Sequence, residues 1–521
     1  MKRMNKLKIY LYALLASGVV LASSCTNDFE EINTDKNTVA TIGPAELPFL
    51  FARAISAVPW NDQTAQNLYA DQYAQYFANN TAYFPTDRLT INMSWANGPW
   101  NKQYTVIVPQ LQTLFENTDP ASSEHALANI WWVYSFHRVT DYWGPIPYSK
   151  AGVPGTSVPY DAQSAIYDDF FKRLDAAVEV LKTKPATEKP FGDFDLIYGG
   201  AVTKWIKFAN TLRLRLAIRI SEVDPTRARA EAEAAVAAGV FTTSPEDDAL
   251  AKKNVIDRNP ISVMSEWNEF RMTASMESAL VGYADPRLPV YFIPAKKTGT
   301  YEGLRNGLSI AQLGDAKNKP DANSHVGPRW TDPVSGGVAS FLTTPSNVMC
   351  TAEAYFLRAE GALLGWNMGG TAKAMYETGI SNSMKQWGIT DATAVANYMN
   401  SLNTPIPPAD FLNSRALSDV PVKFNEGDAD IALEQIAMQK WLALFPDGVE
   451  AWADFKRADA LPLYPVANSD NPDITDPSVQ TIKRLPFLES ERQTNKVEVD
   501  KAVDLLGGPD KITTNLWWDV D

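Results

Sequence analysis

The stretch from Ser346 to Trp387 constrains the fold more than any other part of this chain. At helical spacing Ala352, Tyr355, Phe356, Ala359 and Leu363 share one face, and Met375, Tyr376, Ile380, Ser383, Met384 and Trp387 share another. Between them Gly365, Trp366, Asn367, Met368, Gly369 and Gly370 supply permissive backbone for a tight turn, and Thr371 is placed to cap the second helix. So short a turn forces the two helices antiparallel. A lone helical hairpin leaves one apolar side uncovered, so it needs similar neighbours, as in tetratricopeptide-like stacks.

Such neighbours occur towards both ends. Pro44 to Asn80 reads as helical through Leu47, Leu50, Phe51, Ala54, Ile55 and Val58, then Leu68, Tyr69, Tyr73, Tyr76 and Phe77. Trp100, Tyr104, Ile107, Val108, Leu111 and Leu114 predict a helix that pairs with the aromatic-rich run from Ala121 to Thr140. Gly144, Pro145 and Pro147 then stop the chain in a rigid turn. A stripe of Ile166, Phe170, Leu174, Ala177 and Leu181 follows, then Trp205, Phe208, Leu212, Leu216 and Ile220, with Arg213, Arg215 and Arg219 alternating outward and expected to satisfy buried carboxylates and helix ends rather than bind a ligand. Ala228 to Gly239 is an alanine-rich helix closed by its glycine. After the central hairpin, Asp391 to Leu402 predicts a short helix, and Ala429 to Phe445 pairs with Gly448 to Ala458. A proline-rich tail should wrap the helical body.

Two segments break this pattern. Tyr83 to Pro99 mixes aromatic, polar, Gly and Pro residues without period and reads as irregular and exposed. Phe241 to Ser340 is weakly patterned, with a strand or extended loop expected at Val290 to Ile293 and a Gly-, Asn-, Asp- and Pro-rich stretch from Thr298 to Gly337. An irregular connection that long inside a compact body is usually functional or disordered, and Tyr301, Arg305, Asn306, His325 and Trp330 favour function.

The N-terminus carries a secretion signal. Lys2, Arg3, Lys6 and Lys8 precede an apolar run from Ile9 to Leu21, about 13 residues, too short for a transmembrane helix of roughly 20. It closes with Leu21, Ala22, Ser23, Ser24 and Cys25, which resembles the bacterial lipoprotein box, although Ala22 stands where the usual pattern has leucine. Residues 1–24 are thus expected to be a signal peptide, with Cys25 lipidated as the mature N-terminus. The following Asn27, Asp28, Phe29, Glu30 and Glu31 resemble the acidic surface-export signal of Bacteroidetes lipoproteins, and 25–43 reads as a lipidated tether to one helical domain over 44–521. With Cys25 modified, only Cys350 remains, so the body has no internal disulfide and that thiol is expected to be buried and inert. The formal charge of −14 makes nucleic acid a poor partner.

DYWGPIPYSKA at Asp141, KWIKFANTLRLRLAIRI at Lys204, YADPRLPVYF at Tyr283, VMCTAEAYFLRAEGALLGW at Val348, EQIAMQKWLALFPDGVEAWADFKR at Glu434, KRLPFLESER at Lys483 and NLWWDVD at Asn515 together resemble one family. These are the SusD- and RagB-like nutrient-binding lipoproteins of the Bacteroidetes outer membrane, in particular the second SusD-like branch. The resemblance implies a mostly α-helical body of about four tetratricopeptide-like pairs, with long irregular loops and a few short strands on the ligand-facing side, built from the insertions at about 83–99 and 241–340. It also implies a SusC-like TonB-dependent transporter as partner, a glycan or other nutrient as cargo, an outer-membrane position facing the exterior, and no catalysis or cofactor.

A sugar ring presents an apolar C–H face and a rim of hydroxyls, so its site needs flat aromatics together with amides, carboxylates or arginines. The irregular segments supply two such clusters, Tyr83, Trp95 and Asn97, and Tyr301, Asn306 and Trp330. Trp100, Tyr104, Trp131, Trp132 and Trp205 read as core, and Trp517 and Trp518 as a pin for the C-terminus. Asn468, Asp470, Asn471, Asp473 and Asp476 offer oxygens for calcium but lack the glycine and terminal glutamate of an EF-hand loop, so a solvated turn is expected. No zinc, serine-hydrolase or phosphate-loop motif is present. Asp168 and Asp169, adjacent on a helix, point in different directions and cannot flank one glycosidic bond. The rival readings are a helical scaffold without a small ligand and, behind it, a glycoside hydrolase.

Overall fold

The computed structural model describes residues 42–57, 63–155, 157–331 and 341–520. The expected signal peptide, Cys25, the acidic cluster and all but the end of the expected tether lie outside the described residues. By compactness the chain divides into two units, Met1–Leu47 and Pro48–Asp521. In the described part of the first, Glu46 folds back to accept a hydrogen bond from Gly43 N at 2.8 Å.

The central hairpin of the second unit forms as its periodicity dictates. Helices Thr351–Leu363 and Ala372–Gln386 pack antiparallel, and the Thr371 side chain accepts from Ala374 N. Gly365 and Gly369 take φ of 77° and 75° in the turn, where a side chain would be strained. Gly379 lets the helices close, since a Cβ there would lie 2.8 Å from the Phe356 ring.

Three further pairs stand with it among the described residues: Ser123–Trp143 with Gln163–Lys182, Val202–Arg219 with Pro225–Ala238, and Ala429–Leu444 with Gly448–Ala458. Ser122, Asp224, Asp428 and Asp447 cap four of these helices through their side-chain oxygens. The Ser123–Trp143 helix is buried on every side from Ile130 onward, with Trp131, Trp132, Tyr134, Phe136 and Trp143 in the core and its buried His137, Arg138 and Asp141 bonded. Cys350 is buried as expected, and burial pushes its thiol pKa well up. Trp518 is buried too and donates to Asp141, pinning the C-terminus.

The arginines differ from expectation in direction. Arg213 reaches Glu231 and Asp175 near the surface, but Arg215 and Arg219 turn inward. Arg215 grips Glu353 with two bonds of 2.6 and 2.7 Å, and Arg219 holds Glu450 at 2.5 Å. Arg138 does the same to Asp447, at 2.9 and 3.1 Å. Each carboxylate comes from a helix far away in sequence, so single-helix periodicity could not reveal that this face is buried. The ion pairs tie all four helix pairs together. His137, packed among these arginines, is driven far towards its neutral form by burial and by their charge.

The irregular parts hold more structure than their patterns suggest. The stretch expected to be helical to Asn80 breaks into Leu47–Ser56, a π-helical turn at Gln63–Asn67, the short Ala70–Tyr73 helix and a strand, Phe77–Asn79. Gln75 sits at φ 53°, which ends the helix, while Tyr76 turns into the core and donates to Trp441 O at 2.6 Å. From Leu288 the chain makes one helical turn to Tyr291, so only Phe292–Ile293 forms the expected strand. Among the described residues the strands make three two-stranded ladders.

Candidate functional site

Strand Phe77–Asn79 runs antiparallel to Phe270–Met272 with Asn79 opposite Phe270. Asn80 N donates to Glu269 O and its side-chain amide to Asn268 O, both at 3.1 Å, extending the pairing past the ladder. The loops Asn80–Phe84 and Trp267–Glu269 therefore leave the same end of the ladder. Asn79 Oδ1 fixes the first loop by accepting from Thr81 N and Oγ1. Asn268, at φ 61°, turns the second.

A third element enters from the segment read as irregular, which is helical from Met93 to Asn101 with Asn92 as its cap. Gly98 and Pro99 disguised it; at Gly98 a Cβ would lie 2.7 Å from Thr64 Oγ1, and the helix runs on into a π-helical turn at Lys102–Ile107. Trp95 stands in its first turns. Buried Phe84 is the hub of the cluster: its ring lies 4.4 Å from Tyr83, meets Trp95 edge-on at 5.7 Å, and stacks on Phe270 at 6.1 Å. In this cluster Tyr83 is 64% exposed and Trp95 half-buried, and Trp267, in the second loop, is 46% exposed. Glu269 lies between the loops and accepts from the Tyr83 hydroxyl and from Gln63 Nε2. The bond to that carboxylate raises the Tyr83 phenol pKa, because ionisation would set two negative charges together. Asn97 donates back to Met93 O and accepts from Ser490 Oγ at 2.8 Å, which ties the C-terminal segment to the rim.

The first expected cluster is thus assembled, whereas the second is not. Tyr301 is half-exposed, and no ring contact joins it to Tyr83 or Trp95 among the described residues. Asn306 is buried and its amide is spent on Phe77 O and Asp87 at 3.1 and 2.7 Å, so it holds a loop rather than facing solvent. Trp330 is buried against Trp387 and Phe445, both 5.7 Å away. The Tyr301–Leu308 stretch is clamped from beneath, with Asp87 accepting from Gly307 N at 3.0 Å and Glu277 from Gly303 N at 2.6 Å. Burial raises the two carboxyl groups, to about 6 for Asp87 and about 7 for Glu277. Sequence reasoning missed Trp267 and Glu269, although a Trp-Asn-Glu run in unpatterned sequence is the same signal that singled out Trp95.

Under this surface His325 lines a small cavity with Phe77, Met264 and Phe270, its Nε2 3.1 Å from Ser265 O. Burial lowers its pKa to about 4. The acidic residues weighed for calcium are otherwise engaged: Asp470 with Arg88, Asp473 with Lys511 and Asp476 with Ser478. What the site offers is flat aromatic faces of graded exposure beside a carboxylate and several amides, suited to a ligand with both an apolar face and hydroxyls.

Residues 26–519 match the SusD-like family, described as Susd and RagB outer membrane lipoprotein. Among solved structures, the chain is similar to a chitin-binding SusD homolog from Flavobacterium johnsoniae, with 34% identity over 91% of this chain and 99% of that one and a TM-score of 0.82. A SusD-like protein from Bacteroides thetaiotaomicron shows 31% identity over 91% and 99% of the two chains, with a TM-score of 0.81. A further structure, a chitin-binding protein, shows 27% identity over 91% and 100%, with a TM-score of 0.75. Comparison with curated protein sequences returns no match.

Proposed function

The chain belongs to the SusD-like family of SusD and RagB outer membrane lipoproteins, and from that premise we propose that it captures a glycan at the Tyr83–Trp95–Trp267 surface and delivers it to a SusC-like TonB-dependent transporter. The observation that carries the proposal is the aromatic cluster around Phe84, open on its outer side and bordered by Glu269. Sugar C–H faces stack on such rings, and hydroxyls bond the carboxylate and amide rim. Two structurally similar proteins are described as chitin-binding, which makes oligomers of N-acetylglucosamine the first ligands to try. Capture needs no chemistry on the ligand, so no turnover is expected.

Calorimetry of the protein with N-acetylglucosamine oligomers tests the site. Binding that falls at least about tenfold on Trp95→Ala or Trp267→Ala supports the proposal; equal binding by both variants contradicts it. Membrane attachment is assigned to Cys25. A multi-chain lipid contributes about 0.8 kcal/mol per buried CH₂, enough to hold the protein without an amphipathic helix. Cys25→Ala should move the protein from the membrane to the soluble fraction, and retention of that variant on membranes would refute the anchor. Replacing Asp28, Glu30 and Glu31 by alanine should reduce protease accessibility on whole cells, and unchanged accessibility would remove the sorting role.

A further inference from the structure

A second surface shows side chains that the glycan site does not use. Phe49, near the start of the Leu47–Ser56 helix, and Phe194 are both exposed, and their rings lie 4.5 Å apart. Val255 and Ile256, 65% and 92% exposed, form the tip of a tight turn. That turn is internally braced: Asn254 N donates to Asp257 O at 2.9 Å, and Asn254 Oδ1 accepts from Ile256 N and Asp257 N, each at 2.8 Å. Lys252 N donates to Leu196 O at 2.9 Å, which fixes the base of the turn beside the Phe194 segment. Single exposed apolar residues are ordinary, but a braced turn that displays two of them near an exposed phenylalanine pair marks an interaction surface.

The charge around this patch is unlike that of the whole chain, which is formally −14. Arg53 lies one helical turn beyond Phe49 and is exposed, as are Lys252 and Arg258 on either side of the turn. Lys253 is paired with Asp257 at 3.1 Å. Burial, with the positive charges of Lys253 and Arg53 adding to it against Asp257, lowers the Lys102 ammonium to about 8. Against them, the segments named here bring only Asp193, Asp257 and the buried Asp195, which is bonded to Trp205.

We propose that this face rests on an anionic lipid surface, with Val255, Ile256 and the phenylalanine pair entering the headgroup boundary and Arg53 and Lys252 meeting the phosphates. The choice of occupant rests on the anchored-lipoprotein reading, because the chain that follows Cys25 arrives at the Leu47–Ser56 helix two residues before Phe49. Apolar tips framed by cations are the combination that binds such an interface, whereas neither feature alone favours lipid over protein.

The test uses the full-length lipidated protein in phosphatidylcholine–phosphatidylglycerol vesicles, with an environment-sensitive fluorophore on Ile256→Cys. The remaining thiol, Cys350, is buried and does not compete for label. A matched probe on Val497→Cys, exposed on the acidic C-terminal helix, is the control. The expected result is a blue shift and strong quenching by a lipid-borne quencher at position 256 but not at 497. Arg53→Ala and Lys252→Ala should each lower the ratio of inserted to free probe roughly fivefold. Solution-like emission at 256 in vesicles overturns the proposal, as does a shift that appears only when a protein partner is added. Flotation of the Cys25→Ala variant reads the anchor separately, so loss of the anchor and loss of the contact are told apart.

Discussion

Individual residues separate into those open to solvent, which the proposed site uses, and those that hold the loops, and burial decides between them. Tyr83, Trp95 and Trp267 keep open ring faces, so replacing Tyr83 or Trp267 by alanine should weaken glycan binding while moving stability by no more than about 1 kcal/mol. Trp330→Ala should behave in the opposite way. Its ring is buried among Trp387 and Phe445, and its loss should cost about 3–5 kcal/mol in chemical denaturation with little change in affinity. Equal stability of that variant would show the ring is not packed as described. Both kinds of tryptophan stand in sequence without period, and only the partners, distant in the chain, distinguish them. That is why sequence alone offers Tyr83, Trp95, Asn306 and Trp330 as equal candidates, although the first two gather around Phe84 and the last two are buried.

His325 adds a pH dependence at the same scale. In the unfolded chain the imidazole protonates near 6.5, but in the folded protein only near 4. Between those values the unfolded state binds the extra proton, so stability falls as pH drops from 6.5 towards 4, by up to about 3 kcal/mol before allowance for the ring's residual exposure. Unfolding free energies of the wild type and His325→Gln, measured from pH 7 to pH 4, should converge as the wild type loses this contribution. Parallel curves would mean that the ring titrates normally.

At the scale of elements, the helix pairs were readable because each carries its own apolar stripe, turn glycines and capping residue, as Thr371, Gly365 and Gly369 do for the central hairpin. The π-helical turns, the Phe77–Asn79 strand and the Met93–Asn101 helix were not, because a left-handed Gln75, a helix-borne Pro99 and a ladder partner at Phe270–Met272 decide them. The pairs are joined by buried ion pairs. Arg215→Ala should destabilise the protein by about 3–5 kcal/mol, since it strands Glu353 in the core and leaves Glu450 to Arg219 alone; a loss below about 1 kcal/mol in urea denaturation would contradict that role. Gly303→Ala tests the clamp under the Tyr301 loop, as its Cβ would lie 2.4 Å from Thr273 O, and a lower melting temperature is expected. An unchanged melting temperature would show that the loop is free to move.

For the whole molecule, the proposed division of roles is that the helical stack positions and the loop-borne aromatic cluster binds. The ladder between Phe77–Asn79 and Phe270–Met272 connects them, since it brings two loops about two hundred residues apart in sequence to one edge. The most direct test of this account is a glycan-array screen of the wild type beside the Tyr83→Ala, Trp95→Ala, Trp267→Ala triple variant, with matched melting temperatures confirming the fold. The account predicts a glycan signal for the wild type that the triple variant loses. A signal that survives in the triple variant, or no glycan bound by the wild type on any array, would contradict it.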